Sequence, residues 1–213
     1  MIDVLSSREI SLNPSLLDAM YRLRYRVFRE RMGWDIPVRD GRDHDSFDEL
    51  DPYYLLAFDD SGRLVGCWRM LPSTGSFMLR DVFTQLLEGR HPPCDPGVWE
   101  GSRFAVECAY SGRRGLGALH HYTAEVFCAV VEFSLAFGIR EVWTVYDARV
   151  ARLLKRMAIQ SLWVSGKHRI GNTTAMAGRF RSDEAMLASI RGATGIRGSV
   201  IRHAPWTKTE EAA

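Results

Sequence analysis

The sequence predicts one α/β (α+β) domain: a mixed central sheet flanked by helices, a three-layer sandwich. Three observations carry that prediction. Segments with helical and with strand periodicity follow one another as helix, strands, helix, strand, helix, strands, which is not the regular βαβ repeat of a parallel sheet. No linker, internal repeat or low-complexity tract divides residues 1–213. The 213 residues can bury a sizeable core, and 46% apolar with 25% charged residues is an ordinary globular composition.

The first helix is expected from Pro14 to about Met32, where Leu17, Met20, Tyr21, Arg24, Val27 and Phe28 share one face. Arg24 is the anomaly in that stripe. A guanidinium buried without an anion is costly, so Arg24 requires an anionic partner. Trp34 to Asp51 is acidic and aperiodic and reads as a long loop, of a length that compact domains usually keep for function. Tyr53–Asp59 and Leu64–Leu71 form a strand pair around the turn signal Asp60-Ser61-Gly62. A short helix is expected over Leu79–Leu87, a loop over Gly89–Gly97 and a strand over Trp99–Cys108. The Gly- and Arg-rich stretch Ser111–Gly117 leads into a long helix over about Leu116–Phe137, ended by Gly138. Glu141–Tyr146 is a strand, and Asp147 is the N-cap of a helix to Met157. Ser161–Ser165 and Thr174–Phe180 are strands, Ser182 caps a short helix to Ile190, and the chain frays from about Thr207.

Bulk properties exclude several classes. With 28 Lys and Arg against 26 Asp and Glu, the net charge of +2 demands neither nucleic acid nor an anionic membrane. The N-terminal ten residues have no signal-peptide pattern, and the apolar stretch Ala124–Phe137 is short and broken by Glu125 and Glu132. A cytoplasmic protein with no membrane partner is expected. Cys67, Cys94, Cys108 and Cys128 show no metal-ligand spacing, so reduced thiols are expected rather than a zinc site or a disulfide framework. Local charge is more telling. Arg22, Arg24, Arg26, Arg29 and Arg31 are followed by Asp40, Asp43, Asp45, Asp48, Glu49 and Asp51.

Four stretches stand out. The first is YRLRYRVFRERMGW from Tyr21 to Trp34. The second is DSFDELD from Asp45 to Asp51, with Tyr54 beyond it. The third is GCWRMLP from Gly66 to Pro72, with Met78, Leu79 and Phe83 beyond it. The fourth is WEGSRF from Trp99 to Phe104. In this order and spacing they resemble the N-acyl-homoserine-lactone synthase (autoinducer synthase) family. The resemblance covers about residues 20–110 well and the rest loosely. It implies the mixed-sheet fold of the GNAT acyltransferases. It implies S-adenosylmethionine as a substrate rather than a cofactor, no cofactor and no metal. The acyl chain would arrive as a thioester on acyl carrier protein, with acyl-coenzyme A as the other donor. The products would be the lactone, methylthioadenosine and the freed carrier thiol.

The residues can be weighed on their own chemistry. S-adenosylmethionine carries a sulfonium, an amine and a carboxylate, so its site needs both signs of charge. Arg24, Asp45 and Asp48 supply both, and Phe28 and Trp34 add aromatic faces that attract a cation. The resemblance adds Arg69 and Arg103 to the same charged network. The plain alternative is a solvated acidic loop joined to a basic helix by surface ion pairs of little value. Glu100 is the candidate catalytic base, with Arg103 beside it holding the network. On a regular strand these two would face opposite sides, so a bulge is expected near Gly101 to Arg103. Phe83, Phe104 and Tyr146 are expected in the acyl pocket. Some members of the family carry, where Tyr146 stands, a threonine linked to 3-oxo chains, and it is absent here. Arg152 and Arg156 best match carrier-docking positions on a basic helix, which could equally be an ordinary solvated face.

Two rivals remain. An ordinary acetyltransferase using acetyl-coenzyme A is suggested by Gly112–Ala118, which nearly matches that fold's pyrophosphate loop but has Gly112 where Arg or Gln is expected. A basic turn capping the long helix would look the same. A nucleic-acid-binding domain is suggested by the Arg-rich first helix, but the acidic run beside it would repel phosphates. His120 and His121, lacking a third ligand, read as a partly exposed pair.

Overall fold

The first strand comes from a segment with no strong periodic signal. β1 (Ile2–Ser6) buries Ile2 and Val4, and Ser6 and Glu9 then cap α1 (Ser7–Ser11) reciprocally. The computed structural model describes residues 1–107 and 116–206, the side chains of 116–120 excepted. Asn13 caps α2 (Pro14–Tyr25), with Pro14 in the first turn where a missing N–H costs nothing. The helix expected to reach Met32 changes winding at Arg26 and continues to Arg31 as a π-helical turn, a feature frequent at functional sites. The wider turn leaves the Phe28 carbonyl to accept from the Trp34 N–H at 2.9 Å.

The stretch from Trp34 to Asp51, expected to be loop, contains structure. β2 (Val38–Arg39) and β3 (Arg42–Asp43) form a hairpin around Asp40 and Gly41, whose φ values are +52° and +71°, as a mirror-image two-residue turn requires. A 3-10 turn (Ser46–Glu49) follows. β4 (Tyr53–Phe58) and β5 (Leu64–Pro72) pair antiparallel as expected. The short helix expected over Leu79–Leu87 is instead two single turns, α3 (Met78–Asp81) and a 3-10 turn (Thr84–Leu87). β6 (Val98–Val106) leads to α4 (Leu116–Phe137), which stops at Gly138 (φ +68°). β7 (Glu141–Asp147), α5 (Ala148–Arg156), β8 (Ser161–Val164), β9 (His168–Ile170) and β10 (Thr173–Arg181) follow. Asp183, not Ser182, caps α6 (Glu184–Thr194): its carboxylate accepts from the Met186 N–H at 2.9 Å. β11 (Ile201–His203) is the last described element.

The sheet runs β11-β1-β4-β5-β6-β7-β10-β8, with β9 also on β10. Only β11–β1 and β6–β7 are parallel. Strand alternation sorts the core into two faces. Val4, Leu55, Trp68 and Met70 pack beneath α4 and α6, while Tyr54, Leu56 and Cys67 pack beneath α2. Helix α4 is apolar nearly all round because it packs against both the sheet and α6. Helices therefore cover both faces of one sheet, giving three layers.

One departure from regularity matters most. β6 and β7 pair only from Val98–Gly101 to Glu141–Thr144. Beyond that each runs on without the other, β6 held by β5 as far as Val106 and β7 held by β10 as far as Asp147. The sheet splits there.

Cys67 and Cys128 are buried free thiols and Cys94 is exposed. Cys108, residues 112–115 of the Gly112–Ala118 stretch, the His120 side chain and the end from Thr207 lie outside the described residues, while residues 116–118 open α4. Among the described residues no helix is long and apolar enough to cross a membrane.

Candidate active site

The buried arginine of α2 has the partner its position demands. Arg24, 1% exposed, donates to both Asp48 oxygens at 2.8 and 3.0 Å and to Asp43 Oδ2 at 3.3 Å. Arg69 of β5 donates to Asp45 at 2.6 Å, to Asp48 at 2.8 Å and to Ser102 Oγ at 3.1 Å. Arg103 of β6 lies 2.9 Å from both Asp43 and Asp45. Tyr54 donates its phenol proton to Asp48 at 2.9 Å. Three guanidiniums and three carboxylates thus close a neutral network, with every member less than a tenth exposed. The acidic turn is built for the purpose: Asp45 caps it, and Asp48 accepts from the Asp45 N–H at 3.0 Å.

Burial drives the Asp48 and Asp45 carboxyls upward, but the facing guanidiniums outweigh it and hold both below the usual range. The same pairing holds Arg24 and Arg69 firmly charged. Arg103 differs: burial dominates and lowers its pKa despite Asp43.

Arg103 also sits in an unusual backbone conformation. Cys67 pairs with Ala105 and Arg69 with Ser102, so β6 carries one extra residue, and Arg103 takes φ +57°. Ser102 and Arg103 consequently face the same side, where regular alternation would separate them. The bulge falls at Arg103, inside the stretch from Gly101 to Arg103 where it is expected. Gly101 remains in register with both Met70 and Thr144. Its missing side chain serves Trp68 instead, since a Cβ there would lie 2.7 Å from the indole nitrogen.

A cavity of about 130 Å³ occupies the split between β6 and β7. Phe28, Trp34, Phe83, Glu100, Arg103, Phe104 and Tyr146 line it, so most of the residues singled out in the sequence meet there. Arg24, Asp45, Asp48 and Arg69 do not line it. Asp45, together with Asp43, grips Arg103 from behind, and Arg24, Arg69 and Asp48 complete the network around those carboxylates. Phe28 stacks at 5.3 Å from both the Trp34 ring and the Arg103 guanidinium, and Trp34 donates to Thr173 Oγ1 at 2.7 Å.

Glu100 is 1% exposed, and burial raises its pKa against the N–H groups of Leu79 (2.6 Å) and Met78 (3.0 Å) that bond it. It therefore also fixes the start of α3. Arg152 and Arg156 lie on the exposed side of α5, while Arg149, Val150 and Leu153 of the same helix line the cavity. Asp147 caps α5 as expected, accepting from the N–H groups of Arg149 and Val150.

The sequence did not single out Asp43, Ser102 or Thr123. Asp43 was legible by counting, since three buried arginines need three anions. Thr123 of α4 lines the cavity, is 1% exposed, and its hydroxyl has no hydrogen-bond partner among the described residues. Chemically, the cavity offers apolar walls, a buried carboxylate inclined to take a proton, and a guanidinium with two aromatic rings able to grip a charged, planar ligand.

Residues 9–190 match the family profile described as autoinducer synthase. The chain is 40% identical over 176 residues to an acyl-homoserine-lactone synthase of Agrobacterium fabrum, covering 83% of each chain. Its fold is similar to the crystal structure of the AHL synthase LasI, with a TM-score of 0.79 and 33% identity over 93% of this chain and 98% of that one. It is similar, again at a TM-score of 0.79, to BjaI, described as a CoA-dependent acyl-homoserine lactone synthase with SAM and isopentyl-CoA, at 28% identity over 96% and 93% of the two chains.

Proposed function

The chain belongs to the autoinducer synthase family, and on that footing we propose that it acylates the amine of S-adenosylmethionine from an acyl thioester. Closure of the product gives an N-acyl-homoserine lactone and methylthioadenosine. The observation that carries this is the cavity in the β6–β7 split, where Glu100, Arg103 and the Phe28–Trp34 pair meet apolar walls.

The amine attacks the thioester carbon only when deprotonated. Glu100, with its pKa raised by burial, accepts that proton, directly or through one water. The β6 backbone beyond Gly101, unpaired on the β7 side, offers N–H groups to the tetrahedral oxyanion. The thiolate leaves and is protonated. The methionine carboxylate then attacks its own γ-carbon and expels methylthioadenosine. This step is intramolecular with a good leaving group, so it needs chiefly orientation. Arg103 would hold the carboxylate, and the Phe28 and Trp34 rings the sulfonium end. Phe83, Phe104 and Tyr146 would receive the acyl chain.

For the donor, the exposed basic side of α5 fits an acidic acyl carrier protein, because the same helix borders the cavity. The test is to incubate the protein with S-adenosylmethionine and acyl chains on carrier protein or on coenzyme A, and to identify products by mass. Lactone with stoichiometric methylthioadenosine is expected. An acylated amine without methylthioadenosine would mean an ordinary N-acetyltransferase. At Glu100→Gln, kcat should fall by about 10² to 10⁴-fold and lose its acidic limb, with partial recovery at high pH. An unchanged pH profile would remove Glu100 as the base.

A further inference from the structure

The cavity in the sheet split has a neighbour. A second, smaller cavity of about 30 Å³ lies on the α4 side, with Phe127, Val130, Val142, Ile159, Met186 and Ile190 among its apolar lining. Aromatic rings stand between the two. Phe104, on the wall of the first cavity, meets Trp68 at 5.1 Å and Phe127 at 5.4 Å, and these two rings meet at 5.1 Å and line the second cavity. On the other side Tyr146 of the first cavity meets Phe180 of the second at 5.8 Å. Both of those rings occupy space that Gly178 leaves open, since a Cβ there would lie 2.6 Å from Phe180 and 2.7 Å from Tyr146.

We propose that this two-sided aromatic partition ends the acyl site and sets the longest chain the enzyme accepts, with apolar space beyond it that a longer chain would use if the partition were thinned. The inference rests on the proposed acyl transfer. Its physical basis is that an interior packed at crystal-like density admits no further methylene without displacing a ring, so the accepted length ends abruptly rather than fading. Below the limit each added methylene buries more apolar surface and favours the longer chain. At the limit the rings of Phe104 and Tyr146 oppose it.

The test is competition among acyl thioesters of graded length, on whichever carrier supports wild-type turnover, with the lactones resolved by mass. Wild type should show a sharp upper limit. Phe127→Leu keeps an apolar side chain and opens the partition. It should raise the ratio of longer to shorter lactone about tenfold, the value of burying roughly two further methylenes. Adding Val130→Met fills the second cavity and should restore the wild-type limit. Should Phe127→Leu not fold, judged by its unfolding transition, Phe180→Leu opens the other side and carries the same expectation. A folded opening variant with the wild-type length profile overturns the proposal. So does a double variant that keeps the shifted profile, because the extra room would then not be the second cavity. Failure of wild type to make any lactone would instead overturn the acyl-transfer reading.

Discussion

Asp48 receives both Arg24 and Arg69 as well as Tyr54, so its loss leaves two buried cations short of an anion. Breaking a buried pair costs more than the pair contributes, because the survivor keeps its desolvation penalty. Asp48→Ala should therefore lower stability by about 3–5 kcal/mol, read as a fall in the thermal midpoint together with lost activity. A change near that at an exposed pair such as Arg22–Asp18 would mean that the network is not what holds Asp48's surroundings together. Thr123 predicts the opposite sign. Its orphan hydroxyl forfeits roughly 1–3 kcal/mol, so Thr123→Val should raise the melting temperature. A lowered one would mean that the hydroxyl makes a bond that its surroundings conceal. Residue chemistry made much of this site legible. Arg24 declared its need for an anion by sitting in an apolar stripe, and Asp45 and Asp48 lay close by in sequence. Which of the charged groups would line the cavity was not legible, because that depends on Arg103 facing it with the other five charges behind. Thr123 was invisible, since an unpartnered hydroxyl leaves no pattern in one chain.

Elements with a strong period or cap were readable: α4 with its Gly138 stop, the β4–β5 pair, and α5 with Asp147. β1 was missed because five residues with two buried positions carry little pattern, and the strand depends on distant β4 and β11. The β2–β3 hairpin did carry an Asp-Gly turn signal, but its flanks are polar and do not alternate. The bulge was anticipated from the need to bring Glu100 and Arg103 to one side. Within the expected stretch it falls at Arg103 rather than Gly101, because Trp68 claims the space above Gly101 and leaves Arg103 to take the left-handed conformation. Helix α5 has two faces through its amphipathic form, with Val150 and Leu153 on the cavity and Arg152 and Arg156 outward. If carrier protein docks there, Arg152→Glu with Arg156→Glu should raise KM for carrier-bound substrate with kcat little changed, the pattern of lost uniform binding. The KM of a coenzyme A donor should move much less. Equal KM values for wild type and the double variant on carrier protein would place docking elsewhere.

The charged network also ties separate parts of the fold together. It joins α2, β3 and the Ser46–Glu49 turn to β5 and β6, all on one face of the sheet. The opposite face is held chiefly by apolar packing beneath α4 and α6, where Glu125 and Glu132 pair with the Met1 ammonium and Arg191. Acid should act on the two faces unequally. Asp45 and Asp48 have depressed carboxyl pKa values, so their contribution to stability is complete above the unfolded value of about 4. It is lost as pH falls from there through their folded values. Glu100 runs the other way: its raised pKa means that ionisation weighs against the fold as pH rises, and acidification relieves it. Two depressed groups in the network oppose one raised group, so the balance still falls in acid. Protonating Asp48 leaves Arg24 and Arg69 under-paired in the interior, so the loss should begin on the α2 face. Amide exchange followed by mass should therefore show residues 20–50 losing protection at higher pH than residues 121–137 of α4. Asp48→Asn should narrow that pH difference, because one of the two groups that titrate there has already lost its charge. Simultaneous loss of protection in both segments would mean that the two faces unfold as one unit and that the network does not govern acid stability.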